Sequence, residues 1–271
     1  MPPGKRLSTI PLGLRRNGIK TFFVFIKRHI KEDKTMQSFD YKDIYIEDAK
    51  RILEINIFPE KHCNFDCIFC PIGRSKNKTD AEILFGSVDN SLTELGRIIE
   101  QKAADLVFIN SKGEALLHNQ ICNIIDFIKS KGLPVRLLSN GYLLGIKNYM
   151  QIANKCDEVI GELKVITEEA FQKVQRPIPG YTLEDYIANM VKFRKQYSGK
   201  FIFEITIIRG YNDDEASVQK LKDIIRKVSP DNLMVVRLEE EKFQKKLGIT
   251  DERFTEISNT LQNVVQHNSG D

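Results

Sequence analysis

Six short runs along the chain are dense in Ile, Val, Leu and Phe and lack internal proline: residues 53–58, 105–110, 134–139, 158–165, 201–208 and 233–238. Runs of that kind suit strands buried on both faces, as in parallel sheets. Between them the apolar positions switch to helical spacing. Ile121, Ile124, Ile125 and Ile128 fall at i, i+3, i+4 and i+7 and make one stripe. Leu183, Ile187, Met190 and Val191 repeat the pattern with a polar end at Arg194. A third helix carries Val218, Leu221, Ile224, Ile225 and Val228 and is closed by Ser229-Pro230. Strands alternating with helices predict an α/β fold with right-handed crossovers, either an open doubly wound sheet or a barrel. Periodicity does not choose between the two. A final helix is expected with Thr250 or Asp251 as N-cap and Phe254, Ile257 and Leu261 as its buried face. The polar stretch after Val265 is expected to fray.

Composition changes this picture little. Hydrophobic residues make up 41% of the 271 and charged residues 29%, ordinary values for a globular chain. Near the start the longest purely apolar run is residues 22–26, too short to span a bilayer. No small-residue cleavage site follows a long apolar stretch, so a cytoplasmic location is expected. Charge is uneven. Residues 1–34 hold nine Lys and Arg against two acids, leaving 32 basic and 35 acidic residues for the rest. Such a leader can bind RNA or an anionic surface, although a solvated, disordered arm is the plainer reading.

The cysteines carry the chemistry. Three of the five fall within eight residues, in His62-Cys63-Asn64-Phe65-Asp66-Cys67-Ile68-Phe69-Cys70-Pro71, directly after the first β-like run. In a reducing compartment this crowding reads as metal binding or redox chemistry rather than a disulfide framework. Close thiolates let one loop wrap one iron–sulfur cluster. The next cysteine is Cys122, so one iron would lack a nearby protein thiolate. Open coordination marks a reactive metal site, and the C-terminal end of a strand is where α/β barrels place their chemistry. The alternative is zinc on the same three cysteines with His62 or a distant residue, though no second ligand pair accompanies them. Cys122 and Cys156 read as small buried hydrophobes.

With Phe69 before the third cysteine, the loop resembles the signature of the radical S-adenosylmethionine (SAM) superfamily. The resemblance implies an incomplete, TIM-like parallel (β/α)6 barrel over residues 36–240, after a leader of residues 1–35 and before a C-terminal helix and tail of residues 241–271. It implies a 4Fe–4S cluster on Cys63, Cys67 and Cys70 whose open iron is chelated by SAM. One electron then cleaves the sulfonium, and the 5′-deoxyadenosyl radical takes a hydrogen atom from the substrate. No protein side chain is assigned a catalytic role.

Softer stretches extend the likeness. Ser111-Lys112-Gly113-Glu114-Ala115 resembles the family's Gly-Gly-Glu-Pro, with Lys112 for the first glycine and Ala115 for proline, and implies that Gly113 and Glu114 meet the SAM amino group. Ser139-Asn140-Gly141 resembles Thr-Asn-Gly, although Asn-Gly is also a common turn. Glu162-Leu163-Lys164 resembles the Asp-x-Lys of glycyl-radical activating enzymes, and period-2 alternation puts both charges on one face. A structural ion pair is the other reading. Gly210-Tyr211-Asn212-Asp213 matches a segment in which the glycine flanks adenine. Arg176-Pro177-Ile178-Pro179-Gly180 and residues 193–204 are most similar to the wyosine-forming tRNA enzymes. The expected substrate is thus a tRNA base. A glycyl-radical enzyme activase is the first alternative and a zinc-binding interaction module the second. Either enzyme would need an electron donor such as flavodoxin or ferredoxin.

Overall fold

The computed structural model describes residues 38–268, apart from 76, 77 and 239. The basic leader, with its expected disorder, lies outside the described residues. Two short strands, β1 (Asp40–Tyr41) and β2 (Tyr45–Glu47), pair antiparallel with β3 (Lys50–Asn56). From β3 onward every pairing is parallel, through β4 (Leu106–Ile109), β5 (Val135–Ser139), β6 (Glu158–Leu163), β7 (Lys200–Thr206) and β8 (Asn232–Val236). These are the six expected runs, with ends displaced by up to three residues.

Strand order settles the choice that periodicity left open. A doubly wound sheet reverses its order at a switch point. Here the path runs β1-β3-β4-β5-β6-β7-β8 and stops without returning to its start. The sheet is therefore an unclosed partial barrel, with helices outside and one face turned inward.

The helices are α1 (Asp89–Lys102), α2 (Ile121–Ser130), α3 (Lys147–Ala153), α4 (Glu168–Ala170, continued by a π turn Phe171–Gln175), α5 (Leu183–Gln196), α6 (Glu215–Val228), α7 (Glu241–Leu247) and α8 (Asp251–Asn268). α2 and α6 bury the stripes read from sequence. α5 differs. It buries Leu183, Tyr186, Met190 and Phe193, while Ile187 and Val191 are only half-buried beside that stripe. Two aromatic rings fill the groove more completely than the β-branched pair would. Thr250 is the N-cap of α8, since its Oγ1 accepts from Arg253 N at 3.3 Å. Ile257 and Leu261 are buried, Phe254 lies half-buried under the Arg237 guanidinium, and the helix continues past Val265. Among the described residues no helix is long and apolar enough to cross a membrane.

Most of the core lies between the sheet's outer face and the helices. A second cluster, Ile52, Leu106, Phe108, Ile160 and Ile202, sits on the inner face. Alternation puts Glu54, Arg136, Glu158, Glu162 and Glu204 on that inner face too, so the interior is strongly polar. Arg136 is neutralised there by Glu158 at 2.6 Å and by Glu47 of β2 at 2.8 Å.

Candidate active site

The cysteine loop crosses the C-terminal ends of the strands and is fastened on both sides. His62 forms a parallel bridge with Gly113 beyond β4, and Phe65 an antiparallel one with Pro177. Asp66 N and Ile68 N donate to the carbonyls of Gln175 and Val174 at 3.0 and 2.9 Å. Asp66 closes the loop on itself, accepting from Arg74 Nε and Ser75 N, both at 2.7 Å. Burial alone would push that carboxyl up, but these partners outweigh it and hold it below its ordinary value.

Gly113 makes the first fastening possible. Its φ is +126°, and a Cβ placed there would stand 1.8 Å from His62 O. Only glycine allows two backbones to meet so closely.

Cys63, Cys67 and Cys70 all line one cavity of about 520 Å³, with Phe69, Gly113, Asn140, Glu162 and Lys164 also on its walls. Burial pushes the Cys63 thiol up to about 12 and the Cys67 thiol in the same direction. A cationic metal partner reverses that preference, because a coordinated thiol is deprotonated outright. Three thiols on one cavity wall match in kind the thiolates that a cluster with one open iron would need, although among the described residues no three His, Cys, Asp or Glu side chains are placed about a single metal ion. His62 is not on the cavity wall; its ring packs against Phe58 and Phe85 at centroid separations of 5.2 and 5.6 Å.

Glu162 and Lys164 project together, 2.5 Å apart, while Leu163 is fully buried on the other face. Burial alone would lower the Lys164 amine, but Glu162 and Glu204 outweigh it and hold the amine charged well above its usual range. The cavity continues into a deeper chamber of about 380 Å³ that shares Glu54, Asn110, Leu138 and Glu162 and reaches Arg136, Glu204 and Met234.

Two expected site residues stand off the wall. Glu114 has no exposed surface: its Oε1 accepts from Leu116 N at 3.2 Å and its Oε2 from Ser139 Oγ at 3.0 Å and Asn140 N at 2.8 Å. Burial raises it to about 7, with the hydrogen bonds pulling the other way. Gly210 lies in the turn after β7, its N donating to Asp213 Oδ1 at 2.7 Å.

Two residues that shape the site were not legible as such. The Tyr186 hydroxyl sits between the carbonyls of Asn140 and Glu162 and shares its one proton between them, tying the β5 and β6 exits together. In sequence it falls outside the stripe read for this helix, which runs through Ile187 and Val191 instead. Asn212, fully buried, donates to Thr206 O at 2.8 Å and Lys164 O at 3.2 Å. Its signal lies in the Gly-Tyr-Asn-Asp segment, two residues after the glycine that the resemblance singles out.

A family model described as the radical SAM superfamily matches residues 58–221. The chain belongs to the radical SAM superfamily. Enzymes of this superfamily use a 4Fe–4S cluster and SAM, and membership displaces the zinc-module alternative. The UPF0026 protein of Methanocaldococcus jannaschii is 25% identical to this radical SAM chain over 203 residues, 71% of this chain and 62% of that one. The tRNA-2-methylthio-N(6)-dimethylallyladenosine synthase of Finegoldia magna is 26% identical over 233 residues, 78% of this chain and 48% of its own length. The chain spans less than two-thirds of the length of the first curated relatives it matches. Among solved structures, TYW1 with a lysine–pyruvate adduct bound superposes with a TM-score of 0.61 at 14% identity, covering 79% of this chain and 74% of that one, a likeness of fold.

Proposed function

We propose that this radical SAM chain is an enzyme that cleaves SAM reductively at a 4Fe–4S cluster held by Cys63, Cys67 and Cys70, and abstracts hydrogen from a tRNA base. The observation that carries the reading is the shared cavity, in which all three thiols and the Glu162–Lys164 pair face one space. When bound, the cluster supplies the single electron that splits SAM into methionine and the 5′-deoxyadenosyl radical. The chain's own residues bind and orient. Lys164 offers a charged donor to the SAM carboxylate and Glu162 an acceptor to a ribose hydroxyl. Phe69 shields the site from water, and Gly113 lets backbone approach the ligand. Glu114 serves from beneath by fixing Asn140, and Gly210 shapes the turn that carries Asn212.

The synthase relative, named for a tRNA nucleoside, supports the substrate class. A flavodoxin or ferredoxin would deliver the electron, in the cytoplasm where such donors work. The Glu162-x-Lys164 pair favours a second reading, an activase for a glycyl-radical enzyme. The two separate by partner: a tRNA enzyme binds RNA with a steep salt dependence, whereas an activase binds a protein and leaves RNA alone.

The central test is anaerobic reconstitution. The protein should take up about four irons and four sulfides per chain. Changing Cys63, Cys67 and Cys70 to Ala together should abolish uptake, while Cys122→Ala and Cys156→Ala should leave it intact. Dithionite and SAM should then yield 5′-deoxyadenosine. Stoichiometric zinc without iron would overturn the proposal.

A further inference from the structure

We infer that Asn140 tunes the reduction potential of the cluster through a hydrogen bond to the Cys63 sulfur, and that Glu114 is the positioning residue that aims it. The inference rests on the reading of Cys63 as a cluster ligand.

The geometry begins with the orientation of the carboxamide. Asn140 Oδ1 accepts from Tyr142 N at 3.2 Å. A backbone N–H can only donate, so the oxygen must lie on that side and Nδ2 on the other. Nδ2 then faces Asn64 Oδ1 at 2.6 Å and Cys63 Sγ at 3.7 Å. The backbone of the same residue is held from two directions. Its N–H donates to Glu114 Oε2 at 2.8 Å, and its carbonyl accepts from the Tyr186 hydroxyl. Ser139 Oγ donates to the same Glu114 oxygen at 3.0 Å and accepts from Gly141 N at 3.1 Å, which fixes the turn on both sides of Asn140. Every polar group of Asn140 is therefore committed, and the amide has no freedom to turn from the sulfur.

The three sulfurs are not treated alike. Cys63 Sγ has a second donor in Phe65 N at 3.4 Å, whereas no hydrogen bond to the Cys67 or Cys70 sulfur is found among the described residues. Hydrogen bonds to cluster sulfurs withdraw negative charge, favour the reduced form and raise the potential. Asn140 itself exchanges no electron. It biases the equilibrium of the electron that the donor supplies.

A shared and rather long donor should be worth about a tenfold change in the ratio of reduced to oxidised cluster, equivalent to about 60 mV for a one-electron couple. The experiment is a redox titration of the reconstituted, four-iron protein followed by electron paramagnetic resonance, without SAM, so that contact with SAM contributes nothing. Asn140→Ala should lie about tenfold toward the oxidised form relative to wild type. Asn140→Asp, equal in shape but lacking the donor and adding charge, should lie further. Glu114→Gln should shift less, in the same direction, and Cys122→Ala should not shift. A wild-type midpoint in Asn140→Ala and Asn140→Asp would overturn the inference. If neither variant holds four irons, 15N-asparagine labelling of wild type and of Asn64→Asp decides: a side-chain nitrogen coupling to the reduced cluster that persists in Asn64→Asp supports the contact, and its absence there overturns it. Wild-type protein that fails to assemble four irons would instead sink the cluster assignment itself.

Discussion

The wall built by β4, β5 and β6 borders both the thiol cavity and the chamber beyond it, whereas β7 and β8 border only that chamber, and the two walls are made differently. On the first, β4 is buried throughout, Gly113 touches the His62 carbonyl, Glu114 is sealed under Asn140, and Tyr186 ties two strand exits together. On the second, Met234, Val235 and Val236 are only half-buried, α7 buries no residue, and nothing approaches the position where a Cβ of Gly210 would lie. A site needs rigid geometry where reacting groups are oriented, and access where a substrate must come and go. The close-packed wall thus suits the cofactors, and the looser one suits the approach of something large.

The sharpest way to break this contrast is to add one methyl group to the tight wall. Gly113→Ala combines a strained positive φ with a clash against backbone, which should cost at least ~3 kcal/mol. For a chain of this size that is a fall in melting temperature of about 10 °C, together with loss of iron uptake. Melting within a degree or two of wild type would mean that the His62–Gly113 bridge is not formed.

Glu114 tests the same wall by pH. Its folded value, about 7, lies above the ordinary carboxyl value of 4.5. The folded state therefore holds the proton more tightly than the unfolded chain does. The stability this contributes is complete below pH 4.5 and is lost as pH rises to about 7, by up to about 3 kcal/mol at 1.36 kcal/mol per unit. Glu114→Gln has no such slope. The melting temperature of the variant minus that of wild type, both free of cluster, should accordingly become more positive from pH 5 to pH 8. His118, held at about 4 by burial, favours the opposite trend, but it is present in both proteins and cancels. A difference that stays flat with pH would show that Glu114 is ionised throughout.

The Glu162–Lys164 pair stands where the tight wall meets the cavity. Breaking a buried structural ion pair costs about 3–5 kcal/mol, because the surviving charge is stranded. This pair borders a solvent-sized space, so Lys164→Met should melt nearly as wild type does and lose about thirtyfold in SAM affinity, roughly 2 kcal/mol. Collapse of the melting temperature with unchanged affinity would assign the pair to the core.

What could be read in advance follows the same division. Six parallel strands were legible because Ile, Val, Leu and Phe stay dense where the sheet is covered by helices, even though Glu54, Arg136, Glu162 and Glu204 interrupt the runs on the inner face. β1 and β2 are too short to show a pattern, α7 buries no residue, and two of the four residues that α1 buries are Ser91 and Gly96 rather than apolar side chains. The cysteines declared themselves by spacing, and Glu162 and Lys164 by alternation. Glu114 was picked out by its neighbours in sequence, but its direction was not legible, since only the partners at Ser139 and Asn140 draw it beneath the wall. Barrel and doubly wound sheet share one periodicity, so strand order alone could separate them.

The smallest effect belongs to the looser wall. Gly210 has a φ of +77°, like Gly113 in the left-handed half of backbone space, yet a Cβ added there would meet nothing within 4 Å. Gly210→Ala therefore carries the conformational cost without the clash, about 1 kcal/mol, or about 2–4 °C in melting temperature. Iron uptake should be untouched, because the turn is fastened to Asp213 and not to the cysteine loop. SAM affinity is the informative readout. If the glycine borders adenine, as resemblance implies, the added methyl should weaken SAM binding well beyond the change in stability. If it only shapes the turn that carries Asn212, affinity should stay within about twofold of wild type, under 0.5 kcal/mol. The second outcome is expected, because Gly210 is not on the cavity wall whereas Lys164, whose carbonyl Asn212 holds, is.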